Sequence, residues 1–319
     1  MNRRALITAS VAASMALTRL PVGAQVLQKL RVVGTPVDST KVIYYAIKAN
    51  IFRKYGIEVE PTIANSGAAG AAALVGGAVD VAGISALTVF QMHLRGVPVK
   101  YVAPSILLSA DRPTTATVVA KNSPIKTGKD LNGKIVGSSS VADMNSAATL
   151  AWIEANGGDP KSVKLIEIPA SAAAAALDSG RADAITLNEP AVGQVVAAGS
   201  GRVLSHPYEA VAKVLDASGW AMMQPAIDKN QDLVIRFERA VHEAALYTNN
   251  HNAETVDIVA SYANIPADVV AKSARMFDPE YLEVGYFQPL IDSLAHYGFL
   301  SAAFNANDII AATALKPSH

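Results

Sequence analysis

Two pairs of segments in this chain repeat at a single spacing. RVVGT from Arg31 matches KIVGS from Lys134, and LVGGAVDVAGISAL from Leu74 matches LDSGRADAITLNEP from Leu177. The offset is 103 residues in both cases (134 − 31 and 177 − 74). That period is far too long for a solenoid unit and has the size of a lobe, so the chain has to fold as two similar halves. Leu74, Gly77 and Asp80 fall on Leu177, Gly180 and Asp183. Each half reads as strand, polar loop, helix, strand, loop, helix, then Gly-x-x-Asp leading into a third strand. A glycine closing an Ala-rich helix supplies a left-handed cap, and the short apolar run after it suits a strand covered on both faces. Strands alternating with helices predict an α/β fold with a mainly parallel sheet in each lobe.

The helix after the first strand is expected from Ser39 to about Lys54, with Asp38, Ser39 or Thr40 as its cap and Gly56 as its end. Its counterpart is expected from about Asp143 to Asn156. Beyond Gly219 the pattern turns helical, over 233–249, 255–262, 295–300 and 306–315, with no strong strand; this tail is expected to pack mainly on the first lobe. Two β-prone stretches, 114–124 and 217–227, read as crossovers between the lobes and hence as hinges. The expected division is 28–117 with 222–319 for lobe 1 and 118–221 for lobe 2.

With 319 residues, 51% hydrophobic and 17% charged, the chain is long enough for two domains. Formal net charge is zero, and no basic patch points to nucleic acid. Asn2-Arg3-Arg4 followed by the apolar run Ala5–Leu17, too short to span a bilayer, and by Val22-Gly23-Ala24 reads as a secretory signal over 1–24. The adjacent arginines leave a twin-arginine route open. The absence of cysteine excludes an N-terminal lipid-bearing Cys, disulfides, thiolate metal sites and a Cys nucleophile. No later segment is apolar enough to cross a membrane. A mature chain of this kind is expected outside the cytoplasm, in the periplasm of a Gram-negative cell.

The stretches AIKANIFRKYGIEVEP (46–61), ALVGGAVDVAGIS (73–85), RGVPVKYVA (95–103), SPIKTGKDLNGKIVGSSS (123–140) and ALDSGRADAITLNEPAV (176–192) together resemble the periplasmic solute-binding proteins of ABC importers. The resemblance is to their type II class, in the group that binds sulfonates, taurine, nitrate or thiamine precursors. It covers about residues 28–225. It implies a two-lobed fold with two hinge crossovers, a small-molecule ligand and an ABC permease as docking partner. It further implies a monomer without cofactor or metal. A ligand-sensing protein that feeds a receptor uses the same surfaces and stays open as an alternative, as does a pyrimidine-precursor-type role.

In open parallel sheets, ligands lie beyond the carboxyl ends of the strands. The loops there are rich in small polar residues and lead into helices, whose starts present unpaired N–H groups and partial positive charge. Several such starts aimed at one cleft bind an anion without Lys or Arg. The candidates are Ser39 and Thr40; Asn65, Ser66 and Gly67; Ser85; Ser138, Ser139, Ser140 and Asp143; and Asn188. The resemblance adds Glu189, whose Glu-Pro pair it places at the cleft floor near the hinge, as acceptor for a ligand amine or hydroxyl. Trp220, on the returning crossover, is positioned to close over an apolar ligand body. Lys41, His93, Arg95 and Arg112 are the nearby cations whose aim the sequence leaves open. No nucleophile elbow, zinc-binding helix motif or P-loop is present. The two enzyme families of related two-lobed shape, a pyrimidine-precursor synthase and porphobilinogen deaminase, depend on cysteine. The expected function is therefore capture without catalysis: a small organic anion or zwitterion of sulfonate, carboxylate or amino-sulfonate type, held between closing lobes.

Overall fold

The computed structural model describes residues 27–316; the signal expected over 1–24 lies outside them. The chain opens with β1 (Gln28–Gly34), α1 (Lys41–Lys48), α2 (Ile51–Lys54), β2 (Ile57–Ile63), α3 (Gly67–Val75), β3 (Val81–Ser85), α4 (Ala86–Leu94) and β4 (Val99–Ser109). It crosses to β5 (Thr115–Ala120), β6 (Ile135–Ser138), α5 (Met144–Ala155), β7 (Lys164–Glu167), α6 (Ala173–Asp178), β8 (Ala184–Asn188), α7 (Ala191–Ala197) and β9 (Gly201–Ser205). It returns through β10 (Val214–Met223) and ends in α8 (Gln224–Lys229), α9 (Gln231–Asn250), α10 (Val256–Ala263), α11 (Ala267–Lys272) and α12 (Val284–His296).

Two five-stranded sheets result, ordered β2-β1-β3-β10-β4 and β7-β6-β8-β5-β9. Position for position they are the same sheet. In each, the strand in fourth place arrives from the other half of the chain and runs antiparallel to its neighbours. This is the two-lobed α/β architecture expected from the repeat. The crossings fall elsewhere: 115–120 and 214–223 are interior strands, so the chain changes lobe within 110–114 and 206–213, with lobe 2 beginning three residues (118 − 115) and lobe 1 resuming eight residues (222 − 214) before the expected boundaries.

The repeat also shifts by one residue. Val32 pairs with Val81, while Val136 pairs with Ala184. The third strands keep the offset of 103 (184 − 81), but the first strands sit at 104 (136 − 32). Gly34 therefore corresponds to Ser138, and its match with Gly137 is a slip. In strands buried on both faces, a one-residue slip exchanges one apolar residue for another and leaves no mark on the pattern.

The first helix is shorter than expected. Asn50, in the left-handed region (φ 58°), divides α1 from α2, and no side chain caps α1. The long α9 presents Leu233, Val234, Phe237, Ala240, Val241 and Ala244 at helical spacing, and Phe237 stacks on Phe52 at 5.7 Å. α12, largely unforeseen, packs Phe287 on Tyr101 at 5.3 Å, and the end of the tail is a 3-10 turn at Ala306–Ile309. The tail lies mainly on the first lobe. It also reaches across to α5, where the Tyr297 hydroxyl donates to Glu154 at 2.5 Å and His296 lies 3.5 Å from the same carboxylate.

Candidate functional site

A cleft of about 400 Å³ opens between the carboxyl ends of the two sheets. From the first lobe it is lined by the loop after β1 (Thr35, Val37, Ser39, Thr40), the start of α3 (Gly67, Ala68) and the β3–α4 junction (Ser85, Thr88). Ser105 and Ile106 of β4, Ser218 and Trp220 of β10, and Met276 complete that wall. The second lobe contributes Thr115, Met144 and Asn145 at the start of α5, Asn188 at the end of β8, and Tyr208. None of the lining side chains carries a charge.

The donors are arranged by helix caps. Ser66 Oγ accepts from Ala69 N at 3.2 Å, Ser85 Oγ from Thr88 N at 3.4 Å, and Asp143 Oδ1 from Ser146 N at 2.7 Å. Each cap satisfies the third amide of its helix and leaves the first two without a helical partner. On α3 and α5 those first two residues, Gly67 with Ala68 and Met144 with Asn145, line the cleft, one pair from each lobe. Their partial positive charge faces the cleft from both sides.

A chain of side-chain hydrogen bonds fixes the second wall. The Tyr208 hydroxyl donates to Asn145 Oδ1 at 2.9 Å, and Asn145 Nδ2 donates to Asn188 Oδ1 at 3.3 Å. The Thr115 hydroxyl donates to the same Asn188 oxygen at 2.8 Å. With two donors on its oxygen, the Asn188 amide is oriented, and its Nδ2 makes no hydrogen bond among the described residues, which leaves it a free donor at the cleft. Burial pushes the Tyr208 phenol far above its ordinary range, with the Asp143 carboxylate adding to the shift. On the first wall, Thr40 donates to Thr35 O at 2.7 Å and Ser218 to Ile84 O at 2.9 Å. The Ser39 and Ser105 hydroxyls make no hydrogen bond among the described residues.

Behind the first wall lies an ionic cluster. The fully buried Lys41 Nζ is 2.7 Å from Asp278 and 3.3 Å from Asp38, and donates to Met276 O at 3.0 Å. Arg275 Nε donates to Asp38 at 2.7 Å, and Met276 N to the same carboxylate at 2.8 Å. Burial pushes the Asp278 carboxyl up to about 6, with Lys41 pulling the other way. The cluster pins the loop carrying Ser39 and Thr40 to the segment carrying Met276. Lys41 is thus a strut of the wall, and Asp38 is an ionic anchor rather than a helix cap.

Of the residues expected at the site, Ser39, Thr40, Gly67, Ser85, Asn188 and Trp220 come together in the cleft. Trp220 is only 1% exposed and forms wall from within the sheet, against Gly83. Ser138, Ser139, Ser140 and Asp143 lie outside the lining. Ser138 and Ser139 Oγ each donate to Asp143 Oδ2 at 2.9 Å, and Ser140 N reaches the same oxygen at 3.3 Å. These donors are spent closing the loop around the α5 cap instead of facing a ligand. Asn65 and Ser66 are exposed, with Ser66 occupied as a cap. Glu189, before a cis peptide to Pro190, accepts from Gly193 N at 3.1 Å and lines a neighbouring chamber. His93 packs on Phe304 at 4.5 Å, Arg112 lies 5.8 Å from the Phe277 ring, and neither these nor Arg95 lines the cleft. The sequence reading missed Asn145, Tyr208, Thr115 and Ser105. Asn145 was within sight as the second residue of a capped helix start; the others sit on strands and a crossover where nothing in the local pattern marks them.

Among the described residues, no helix is long and apolar enough to cross a membrane, and no group of acids and histidines is placed to hold a metal ion. None of the curated proteins matches the chain in sequence. Solved structures do match. The periplasmic aliphatic sulphonate binding protein SsuA from Escherichia coli has a TM-score of 0.72 at 18% identity, covering 89% of this chain and 97% of that one. The periplasmic nitrate-binding protein NrtA from Synechocystis PCC 6803 has a TM-score of 0.68 at 15% identity, covering 89% and 85%. The desulfurization enzyme DSZB has a TM-score of 0.64 at 17% identity, covering 89% and 96%. At these identities the likeness is one of fold, shared by binding proteins and an enzyme alike. The family described as NMT1/THI5 like matches residues 39–255, more than half of the sequence, and the chain belongs to that family.

Proposed function

We propose that this protein is the exported solute-binding component of an ABC importer, which captures a small organic anion or zwitterion between its lobes. The observation that carries this is the cleft itself: uncharged, lined from both lobes, and provided with helix-start amides, the Asn188 amide and free hydroxyls as its donors. A sulfonate or carboxylate head placed between α3 and α5 would take backbone N–H groups from both lobes, in the manner of anions at helix starts. Ile106, Met144, Met276 and Trp220 give the apolar part of a ligand somewhere to lie. With no carboxylate, imidazole or amine among the described lining side chains to activate its serine and threonine hydroxyls, the arrangement supports binding and release in place of turnover.

The mechanism follows from differential contact. A ligand held by one lobe alone shifts no equilibrium between open and closed forms, whereas one held by both favours closure. The closed form would then dock on the permease as a monomer. The test is a thermal-shift and calorimetric panel of sulfonates, carboxylates, amino acids and pyrimidines on the mature chain. A ligand that binds only the native state stabilises it by about 2.7 kcal/mol at a hundred times its Kd, and Tm rises accordingly. Binding confined to sulfonates, carboxylates or amino-sulfonates supports the reading; binding confined to cations or uncharged pyrimidines contradicts it.

A further inference from the structure

Beside the main cleft lies a second chamber of about 190 Å³. Its walls come from both lobes: Val37 and Met276 with α10 and α11 on one side, Glu189 and Pro190 on the other. Val37, Thr114 and Met276 line both spaces, so the chamber opens off the cleft instead of standing apart. Its surface is unusually apolar for something exposed. Val37, Ile265 and Val269, exposed by 38%, 39% and 38%, are three of the eight large hydrophobic residues left exposed among the described residues, and all three meet here. Scattered exposed apolar residues need no explanation, but a cluster marks a binding surface.

Two of the three charges at its rim are committed to each other. Asp38 and Arg275 are paired at 2.7 Å, and Arg275 also donates to Asn252 O and to Thr255 Oγ1. Glu189 gives one oxygen to Gly193 N and leaves the other without a hydrogen bond among the described residues.

We infer that the chamber is a second subsite that takes the apolar arm of the ligand, so that the preferred solute is an amphiphilic monoanion. This inference rests on the reading of the main cleft as the anion site. The head group sits between the starts of α3 and α5, and an alkyl or aryl arm passes Thr114 to lie among Val37, Ile265 and Val269. Glu189 disfavours a second negative charge at the end of the arm. Because the chamber is walled by both lobes, the arm adds to closure as well as to affinity.

The experiment is calorimetry of the mature chain with n-alkanesulfonates from ethane- to octanesulfonate. Each methylene that leaves water for the chamber tightens binding by about fourfold, so Kd falls stepwise along the series before levelling off. In Val269→Trp, which fills the chamber, the steps disappear while the Kd for ethanesulfonate is unchanged. In Val75→Trp, on an exposed site of α3 outside the chamber, the series matches the wild type. A wild-type Kd that stays flat from ethane- to octanesulfonate overturns the subsite and leaves the anion cleft standing. A Val269→Trp protein that keeps the steps, or weakens every member equally, overturns it too. If no member of the series binds, the subsite inference falls, and the cleft reading is decided by the carboxylates and amino-sulfonates of the wider panel.

Discussion

At the residue scale, the proposed binding surface depends on groups whose orientation is set by neighbours. Asn188 can offer its amide nitrogen because Thr115 and Asn145 hold its oxygen. Asn188→Asp removes that donor and places a carboxylate in an uncharged cleft; the Kd for an anionic ligand should rise by about 10- to 100-fold, the equivalent of a lost charge-assisted hydrogen bond, measured by calorimetry. Tyr208 is the one titratable side chain in the lining, and burial raises it out of reach. The affinity for a permanently ionised sulfonate should therefore be level from about pH 7 to 9, above the range in which Asp278 of the strut behind the wall takes up a proton.

A different residue controls stability. Burial pushes Glu238 up to about 8; one of its oxygens accepts from Thr313 at 3.0 Å and the other has no partner among the described residues. The folded state thus holds a proton that the unfolded chain has released. The contribution is fully present below the unfolded value near 4.5 and is lost as pH rises through about 8. Thermal melts should show Glu238→Gln raising Tm at about pH 9 and leaving it little changed at about pH 5, where the wild-type carboxyl is already neutral. A Tm difference independent of pH would contradict this.

At the scale of elements, the α5 start shows why a polar run is an ambiguous sign. Its serines donate to Asp143, which caps the helix. Asp143→Ala should cost about 1–2 kcal/mol of stability and lower Tm by a few degrees, whereas Ser139→Ala, at an exposed hydroxyl, should change it by less than about 0.5 kcal/mol; denaturant titration checks both. The same element shows how much of the fold could be read from sequence. The two halves, their parallel sheets and the capped starts of α3, α4 and α5 all follow from local signals: glycine stops, Ser or Asp caps and short apolar runs. The crossovers were displaced because a β-prone stretch next to a hinge looks the same as the hinge. The donors on Ser105, Thr115 and Tyr208 were invisible because their function arises from packing two distant strands and a crossover around one space. Ser138, Ser139 and Ser140 were misleading for the converse reason, since a loop folded on itself uses the same residues as a loop facing a ligand.

At the scale of the whole molecule, the two sheets are one design used twice, joined where each lends a strand to the other. Sheets of this kind are stiff, so the proposed closure would place its motion at 110–114 and 206–213. Moving such an equilibrium from 1:99 to 99:1 takes about 5.5 kcal/mol of differential binding, a quantity that donors from both walls can supply and those from one wall cannot. Small-angle scattering of the mature protein, alone and saturated with the tightest-binding sulfonate or carboxylate, measures this directly. The account predicts a smaller radius of gyration with ligand, and the same decrease in Asn188→Asp only at about 10- to 100-fold more ligand. Superimposable curves for the free and the saturated wild-type protein would contradict it.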